Sequence, residues 1–130
     1  MRLLLDTHIL LWWAAGDRRL SRDMRVVMTS PDNEIAVSAA TFWELAIKRQ
    51  LRRIDVDLQD LHKAVKADGF VEMPVAIAHT LLLQNLPDLH RDPFDRLLIA
   101  QSIESGCRLV TADEQILSYA GTTGFDPLTA

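Results

Sequence analysis

The chain has 130 residues, with 48% hydrophobic residues, 25% charged residues and a net charge of −4. These values are typical of one soluble globular domain over residues 1–130. The single cysteine, Cys107, excludes an internal disulfide framework, and no apolar run approaches the roughly 20 residues of a membrane helix. We therefore predict a cytoplasmic protein that has no membrane partner.

Short apolar runs alternate with amphipathic segments along the whole chain. In chain order the predicted elements are a strand over 3–5, helices over 7–15 and 21–28, a strand over 34–37, a helix ending near residue 50, a helix over 57–68, a strand over 70–73, a helix over 74–83, a helix between 92 and 106, a strand over 108–110, a helix over 112–119 and a short edge strand within 124–128. Strands that alternate with helices indicate an α/β fold with a parallel sheet covered on both faces.

Four acidic residues follow apolar runs at four separate points of the chain: Asp6, Glu44, Asp95 and Asp113. A parallel sheet brings the carboxyl ends of its strands to one edge, where open α/β sheets bind their ligands. Carboxylates about 4 Å apart repel by roughly 4 kcal/mol per pair at an effective dielectric near 20. A hard divalent cation removes this repulsion, and Mg²⁺ and Mn²⁺ prefer oxygen ligands. The pattern predicts a metal-dependent hydrolase with these four acids at its centre.

Helix capping gives each acid a second interpretation. Asp6 can cap the helix that follows it, and the segments Thr41–Glu44 and Thr111–Glu114 match capping boxes. Asp92 can cap the helix on which Asp95 lies. Capping explains any one of these acids better than metal binding does. The four together favour a metal site, because serine or threonine would cap a helix equally well without mutual repulsion.

Two basic clusters offer phosphate contacts in spite of the negative net charge. The clusters are Arg18, Arg19, Arg22 and Arg25, and then Lys48, Arg49, Arg52 and Arg53. Solvated helix faces explain both clusters equally well. For Arg96 we predict a pairing with a neighbouring acid, which we favour over a contact with substrate phosphate. Gln101 lies one to two turns beyond Asp95, where a side chain can line the groove.

Other chemistries lack their motifs: there is no glycine-rich phosphate loop, no Cys/His spacing for zinc and no Gly-x-Ser-x-Gly elbow. Four segments instead carry a combined pattern, and they are Leu3–His8, Ser38–Glu44, His90–Leu98 and Leu109–Asp113. With this pattern the chain resembles the PIN-domain ribonucleases, and specifically the VapC-type toxins of type II toxin–antitoxin systems. The resemblance covers essentially the whole chain, and its third segment is the most specific.

The resemblance implies a PIN-like three-layer α/β/α fold with a central parallel sheet of four to five strands. It implies an endoribonuclease that hydrolyses RNA phosphodiester bonds with Mg²⁺ or Mn²⁺, forms a homodimer and is neutralised by a cognate antitoxin. The metal-binding and catalytic acids implied by the family are the four already singled out, with Thr7 and Thr111 supporting them through hydroxyl hydrogen bonds. The fourth, Asp113, is the least essential, and an assisting role stays open for Asp92 and Glu114.

Two other functions stay open at this point. A haloacid-dehalogenase-like or receiver-like phosphotransfer domain also places an aspartate after its first strand beside Mg²⁺. The segment Asp6–His8 lacks the second acid of an Asp-x-Asp pair, which disfavours that alternative. A non-catalytic PIN-like module would keep the acidic groove only to bind a protein partner.

Overall fold

A computed structural model describes residues 1–130 and contains a five-stranded parallel sheet between two layers of helices. In chain order the elements are β1 (Arg2–Leu5), α1 (Thr7–Ala15), α2 (Arg22–Thr29), β2 (Glu34–Ser38), α3 (Ala39–Gln50), α4 (Leu58–Ala67), β3 (Val71–Met73), α5 (Ile77–Leu83), α6 (Pro93–Ser105), β4 (Arg108–Thr111), α7 (Glu114–Leu117), a 3₁₀ turn (Thr122–Gly124) and β5 (Leu128–Thr129). The predicted α/β class and parallel sheet are confirmed. None of the helices has both the length and the apolar character that a membrane crossing requires.

The two faces of the sheet carry separate apolar cores, because successive residues of a strand point to opposite sides. Leu3 and Leu5 of β1 pack on one side with residues of α1, α2, α3 and α4. Leu4 packs on the other side with residues of α6 and α7, and α5 covers the same core. All three leucines are fully buried. The run Leu3–Leu5 is therefore apolar throughout because both faces of its strand are covered.

The order of the strands across the sheet is β3-β2-β1-β4-β5, and every neighbouring pair is parallel. The chain moves from β1 to one side of the sheet through β2 and β3, and later returns to the other side through β4 and β5. The direction reverses between β1 and β4, so their outgoing connections diverge and leave a crevice at the carboxyl edge. Asp6 stands at this crevice, where its backbone N–H donates to the Val110 carbonyl at 3.1 Å.

Local signals set several helix ends as predicted. Ser21 caps α2 and Asp92 caps α6, whose first residue is Pro93. Gly16 and Gly106 end α1 and α6 with φ of 63° and 72°, a left-handed conformation that glycine adopts without a Cβ clash. These ends depend on a few adjacent residues, and the sequence alone is enough to place them.

Three predicted boundaries are wrong. The helix expected from Pro74 begins at Ile77, because Ala76 is extended, with φ and ψ of −107° and 159°. The helix expected over 112–119 is the short α7, since Asp113 is its cap. The edge strand follows Pro127 instead of ending there, because a residue without an N–H cannot donate to the sheet.

Candidate metal centre at the carboxyl edge of the sheet

Asp6 is held in a fixed orientation at the end of β1. Its Oδ1 accepts hydrogen bonds from the backbone N–H groups of His8 at 2.7 Å and Ile9 at 3.3 Å, which caps α1. Its Oδ2 accepts a short hydrogen bond from the hydroxyl of Thr111. Burial raises the pKa of Asp6, and these hydrogen bonds oppose the rise. Carboxylate oxygens have further lone pairs, so the group can still bind a cation.

Glu44 lies within α3 and is only 6% exposed. Its Oε1 accepts a hydrogen bond from the Thr7 hydroxyl at 2.7 Å, and its Oε2 lies 2.9 Å from the Lys48 ammonium. The capping-box interpretation of Glu44 is wrong, because Ser38 caps α3 and Thr41 lies inside the helix. Capping therefore does not explain why this carboxylate is buried, and the functional interpretation gains support.

Asp95 lies in the first turn of α6, next to the loop that precedes the helix. Its Oδ2 is 2.7 Å from Nε2 of His90, and its backbone N–H donates to the capping carboxylate of Asp92 at 3.1 Å. The pKa of Asp95 is raised to about 6, chiefly by burial; the His90 hydrogen bond opposes this rise, and the charges of Asp92, Asp6 and Glu44 add to it. Three of the four predicted acids therefore lie close enough to act on one another electrostatically.

Asp113 follows β4 and is joined to Asp6 through one hydroxyl. The backbone N–H of Asp113 donates to Oγ1 of Thr111 at 3.0 Å, and that hydroxyl donates to Asp6. The Asp113 carboxylate caps α7, accepting from the Gln115 N–H at 2.8 Å. The predicted capping box ending at Glu114 is wrong, because the cap is Asp113 and Glu114 is exposed. Asp113 thus caps a helix as Asp6 does, but its side chain is less buried than that of Asp6.

One group of possible ligand atoms lies within 4.8 Å of one another, and it consists of His90, Asp92 and Asp95. Asp95 is the one member that belongs to the four predicted acids; Asp6, Glu44 and Asp113 lie outside this group. The sequence leaves an assisting role open for Asp92, and this grouping favours that role. His90 was missed, because the four histidines are scattered along the chain. The available signal was its position in the loop five residues before Asp95.

The donor set fits a hard divalent cation. Its atoms are carboxylate oxygens with one imidazole nitrogen, a combination suited to Mg²⁺ or Mn²⁺, and gathered carboxylates need a positive charge among them. Cys107 packs in the apolar core on the α6 side of the sheet, so it adds no soft ligand. Thr41 lies one turn before Glu44 on the same helix, and its buried hydroxyl has no hydrogen-bond partner. This hydroxyl can therefore take part in one further hydrogen bond.

Arg96 does not pair with an acid, and that prediction is wrong. Its guanidinium donates to the backbone oxygens of Pro87 at 2.9 Å and Leu83 at 3.3 Å and to the Tyr119 hydroxyl at 2.9 Å. The same hydroxyl accepts the backbone N–H of His90 at 2.9 Å. This Arg96–Tyr119 network fixes the loop that presents His90 to the acidic site, and it depends on contacts that the sequence does not reveal.

Tyr119→Phe is expected to lower the free energy of unfolding by about 1 to 2 kcal/mol, because it leaves part-buried donors of the network without an acceptor. Urea denaturation followed by circular dichroism measures this difference. Ser118→Ala is the matched control, since Ser118 is exposed and its loss should cost less than about 0.5 kcal/mol. Equal stability of Tyr119→Phe and the wild type would show that the network does not hold the loop.

Gln101 does not line the groove, because it is fully buried. Its Oε1 accepts the Ser38 hydroxyl at 2.6 Å, and its Nε2 donates to the Pro74 carbonyl at 3.3 Å. These contacts tie α6 to the carboxyl ends of β2 and β3. The residue therefore supports the edge of the sheet on which the acids lie.

Half of the residues in the basic clusters contact other groups of the chain. Arg19 pairs with Asp17, Arg25 donates to backbone oxygens, and Arg49 donates to the Val56 carbonyl. Only Lys48 contacts one of the four predicted acids. The solvated-face interpretation fits the exposed members Arg18, Arg22, Arg52 and Arg53.

Comparisons with known proteins identify the family and agree with the fold. The family model of the PIN domain matches residues 3–121. The chain is 36% identical over 123 residues to Ribonuclease VapC22 of Mycobacterium tuberculosis, which covers 90% of the chain and 91% of that relative. The shared length is nearly complete in both proteins, so the similarity extends beyond the acidic motifs.

Two solved structures have a similar fold. One is VapBC2 from Rickettsia felis bound to a DNA fragment from its promoter, with a TM-score of 0.71, 17% identity and coverage of 99% of this chain and 98% of the other. The second is a toxin–antitoxin complex from Klebsiella pneumoniae, with a TM-score of 0.62, 18% identity and 95% coverage of both chains. At these identities the likeness demonstrates the fold alone.

Proposed function

Because the chain belongs to the PIN-domain family, in its VapC-type branch, we propose that it is a metal-dependent endoribonuclease and the toxin of a toxin–antitoxin module. The relative at 36% identity is named a ribonuclease, and one structural neighbour is named a toxin–antitoxin complex. The observation that carries the proposal is the meeting of buried carboxylates from separate elements at one edge of the sheet. Fold alone would not support an activity, since one fold hosts many functions.

In this proposal Asp6, Glu44 and Asp95 hold Mg²⁺ or Mn²⁺, and Asp113 assists. A divalent ion at such a site polarises a phosphoryl oxygen and lowers the pKa of a bound water. The side chains of the chain itself orient the ligands. The Thr111 hydroxyl fixes Asp6, and the Thr7 hydroxyl fixes Glu44.

His90 has a comparable role toward Asp95 in this proposal. The imidazole lies against Oδ2 of Asp95 and leaves Oδ1 for the cation. Asp92 is committed by one oxygen to capping α6, and its charge adds to the negative potential that attracts a cation. The catalytic set is thereby held by hydrogen bonds before any ion arrives, which favours binding because little reorganisation is needed.

The phosphotransfer alternative has less support from the geometry. A nucleophilic aspartate needs a carboxylate oxygen that faces the substrate freely. Oδ1 of Asp6 accepts two backbone N–H groups, and Oδ2 accepts the Thr111 hydroxyl. The carboxylate is held as a ligand rather than exposed as an attacking group.

The proposed partners are an RNA substrate, a cognate antitoxin and a second copy of the chain. Support for protein partners comes from exposed apolar side chains at two helices: Trp43 and Ile47 on α3 with Leu51 directly after it, and Ile77 and Leu81 on α5. Their spacing places the members of each set on one face of its helix. Sedimentation equilibrium tests the dimer, and a monomer at micromolar concentration would contradict it.

The proposal predicts that the purified chain cleaves RNA with Mg²⁺ or Mn²⁺ and loses this activity with excess EDTA. Transfer RNA, ribosomal RNA and mixed-sequence single-stranded oligonucleotides serve as substrates, and gel electrophoresis with end-labelled RNA measures internal cleavage. Activity should return when Mn²⁺ is added beyond the EDTA, because the ion completes the carboxylate site.

Two outcomes would contradict the proposal. Cleavage that persists in EDTA would show that the reaction does not require a metal ion. Binding of an antitoxin without cleavage of any RNA under metal-replete conditions would favour the non-catalytic module instead. The cleavage products also tell which RNA class the chain prefers.

A further inference from the structure

Lys48 is the one lysine that contacts the candidate metal centre. Its ammonium lies 2.9 Å from Oε2 of Glu44, four positions earlier on α3. The Glu44 side chain is 8% exposed and the Lys48 side chain is 30% exposed. The pair thus joins a buried carboxylate to an ammonium that reaches solvent, which differs from a surface ion pair in which both partners are hydrated.

Helix geometry places this ammonium toward the acidic edge. Side chains on a helix tilt toward its N-terminus, so Lys48 reaches back over the preceding turn to the level of Glu44. The N-terminus of α3 begins directly after β2, at the carboxyl edge of the sheet. A lysine has a flexible four-carbon stem with three donors, so a small movement changes its partner without moving the helix.

The acidic edge needs a cationic side chain if it is to hold a polyanion. Arg96 is committed to two carbonyl groups and the Tyr119 hydroxyl. His90 is occupied by Asp95. Lys48 alone among the lysines and arginines contacts a predicted acid and is also partly exposed.

Both oxygens of Glu44 have partners within the chain. Oε1 accepts from Thr7 and Oε2 pairs with Lys48. A divalent cation that binds Glu44 competes with the ammonium for the same carboxylate and repels it. The ammonium then lies beside the site, at the solvent boundary, without its former partner.

We propose that Lys48 is a phosphate-binding residue: when a divalent cation binds Glu44, the ammonium exchanges this carboxylate for a phosphodiester oxygen of RNA. This inference rests on the proposed function, since it requires both the ion and the RNA. It assigns to Lys48 a contact with the substrate, in addition to the ion pair by which it stabilises α3. The exchange couples metal binding to RNA binding through one side chain.

The first test is metal affinity without RNA. Lys48→Met keeps the length of the side chain and removes its charge, so it removes the competitor for Glu44. Isothermal titration with Mn²⁺ should show binding tighter by about two- to fivefold, the range expected from the loss of one ion pair. Lys63→Met is the matched control, because Lys63 is exposed on α4 and should leave Mn²⁺ affinity unchanged.

The second test is the salt dependence of RNA cleavage, which counts phosphate contacts. With a fluorescent mixed-sequence single-stranded RNA and saturating Mn²⁺, Lys48→Met should raise KM about five- to tenfold. The slope of log(kcat/KM) against log salt should become shallower by about 0.7, the value for one lost contact to a single strand. Lys48→Arg keeps the charge and should restore the slope, while Lys63→Met should match the wild type.

Opposite changes, tighter Mn²⁺ binding with weaker RNA binding, support the proposal. If Lys48→Met equals Lys63→Met in both measurements, Lys48 only stabilises α3 and the proposal is wrong. Circular dichroism checks folding, and Lys48→Gln repeats both measurements if the methionine variant does not fold. A wild type that binds no Mn²⁺ and cleaves no RNA would instead overturn the proposed function itself, so the two failures are distinguishable.

Discussion

Asp6→Asn is expected to lower RNA cleavage at least about a hundredfold, because even outer partners of metal ligands cost roughly 10- to 100-fold when removed. The substitution removes a negative charge at the crevice and leaves the shape of the side chain nearly unchanged. Cleavage of end-labelled RNA with Mg²⁺ or Mn²⁺ measures the loss. The melting temperature should stay the same or rise, because asparagine also caps helices and the variant no longer buries a carboxylate.

Asp57→Asn is the matched control for this variant. Asp57 caps α4 by accepting the Asp60 N–H at 3.0 Å, so the same exchange is made at a helix cap outside the site. It should leave cleavage at the wild-type rate. Wild-type activity in Asp6→Asn would show that Asp6 is not part of the metal centre. An equal loss of activity in both variants would show that the effect comes from helix capping.

Asp95→Asn is expected to stabilise the metal-free chain at neutral pH while abolishing cleavage. The folded-state pKa of Asp95 is about 6, against an ordinary value of 3.8. Between these values the folded chain keeps a proton that the unfolded chain has lost, so this group's stabilising contribution is present below pH 4 and lost as the pH rises through 6. Two pKa units correspond to roughly 3 kcal/mol, which is an upper value for the gain.

Urea denaturation in EDTA between pH 4 and pH 8 measures this prediction. The two proteins should be equally stable near pH 4, where Asp95 is neutral, and the asparagine variant should be more stable at pH 7. Mg²⁺ at pH 7 should raise the melting temperature of the wild type and have little effect on the variant, because the ion binds the ionised carboxylate. A constant stability difference across the whole pH range would contradict the assigned cause.

The two variants have a common physical basis. A site that gathers buried carboxylates is destabilising until a cation binds, and the chain compensates with hydrogen bonds from Thr7 and Thr111. Neutral isosteres remove the repulsion together with the activity. Such an exchange of stability for function is expected where a binding site is held ready for its ligand.

Several features of the site are readable from short stretches of sequence. Asp6 directly follows an apolar strand, and the Asp92–Pro93 pair marks the start of α6 and thereby places Asp95 in its first turn. Asp113 follows β4 in the same way. These positions depend on neighbouring residues in the chain, so strand and helix signals are enough to predict them.

Other features of the site failed or were missed because their causes are not local. The box ending at Glu44 matched a capping motif, but Ser38 provides the cap, since β2 ends there and its hydroxyl can reach the Ala40 N–H. The partners of Arg96 come from the loop after α5 and from Tyr119. No spacing rule along the chain identifies contacts made between such separate segments.

The sequence by itself determined the α/β class, the ends of several helices and the positions of Asp6 and Asp113 after strands, because each depends on local propensity and hydrophobic period. Asp95, by contrast, follows a loop after α5 and no strand. Tertiary structure alone decided the strand order that sets β1 beside β4 and the face to which each of Leu3, Leu4 and Leu5 turns. It also decided that the Thr111 hydroxyl meets Asp6 across 105 residues of chain. The physical reason is that such contacts arise from the packing of whole elements, and a uniformly apolar strand carries no pattern that tells one face from the other.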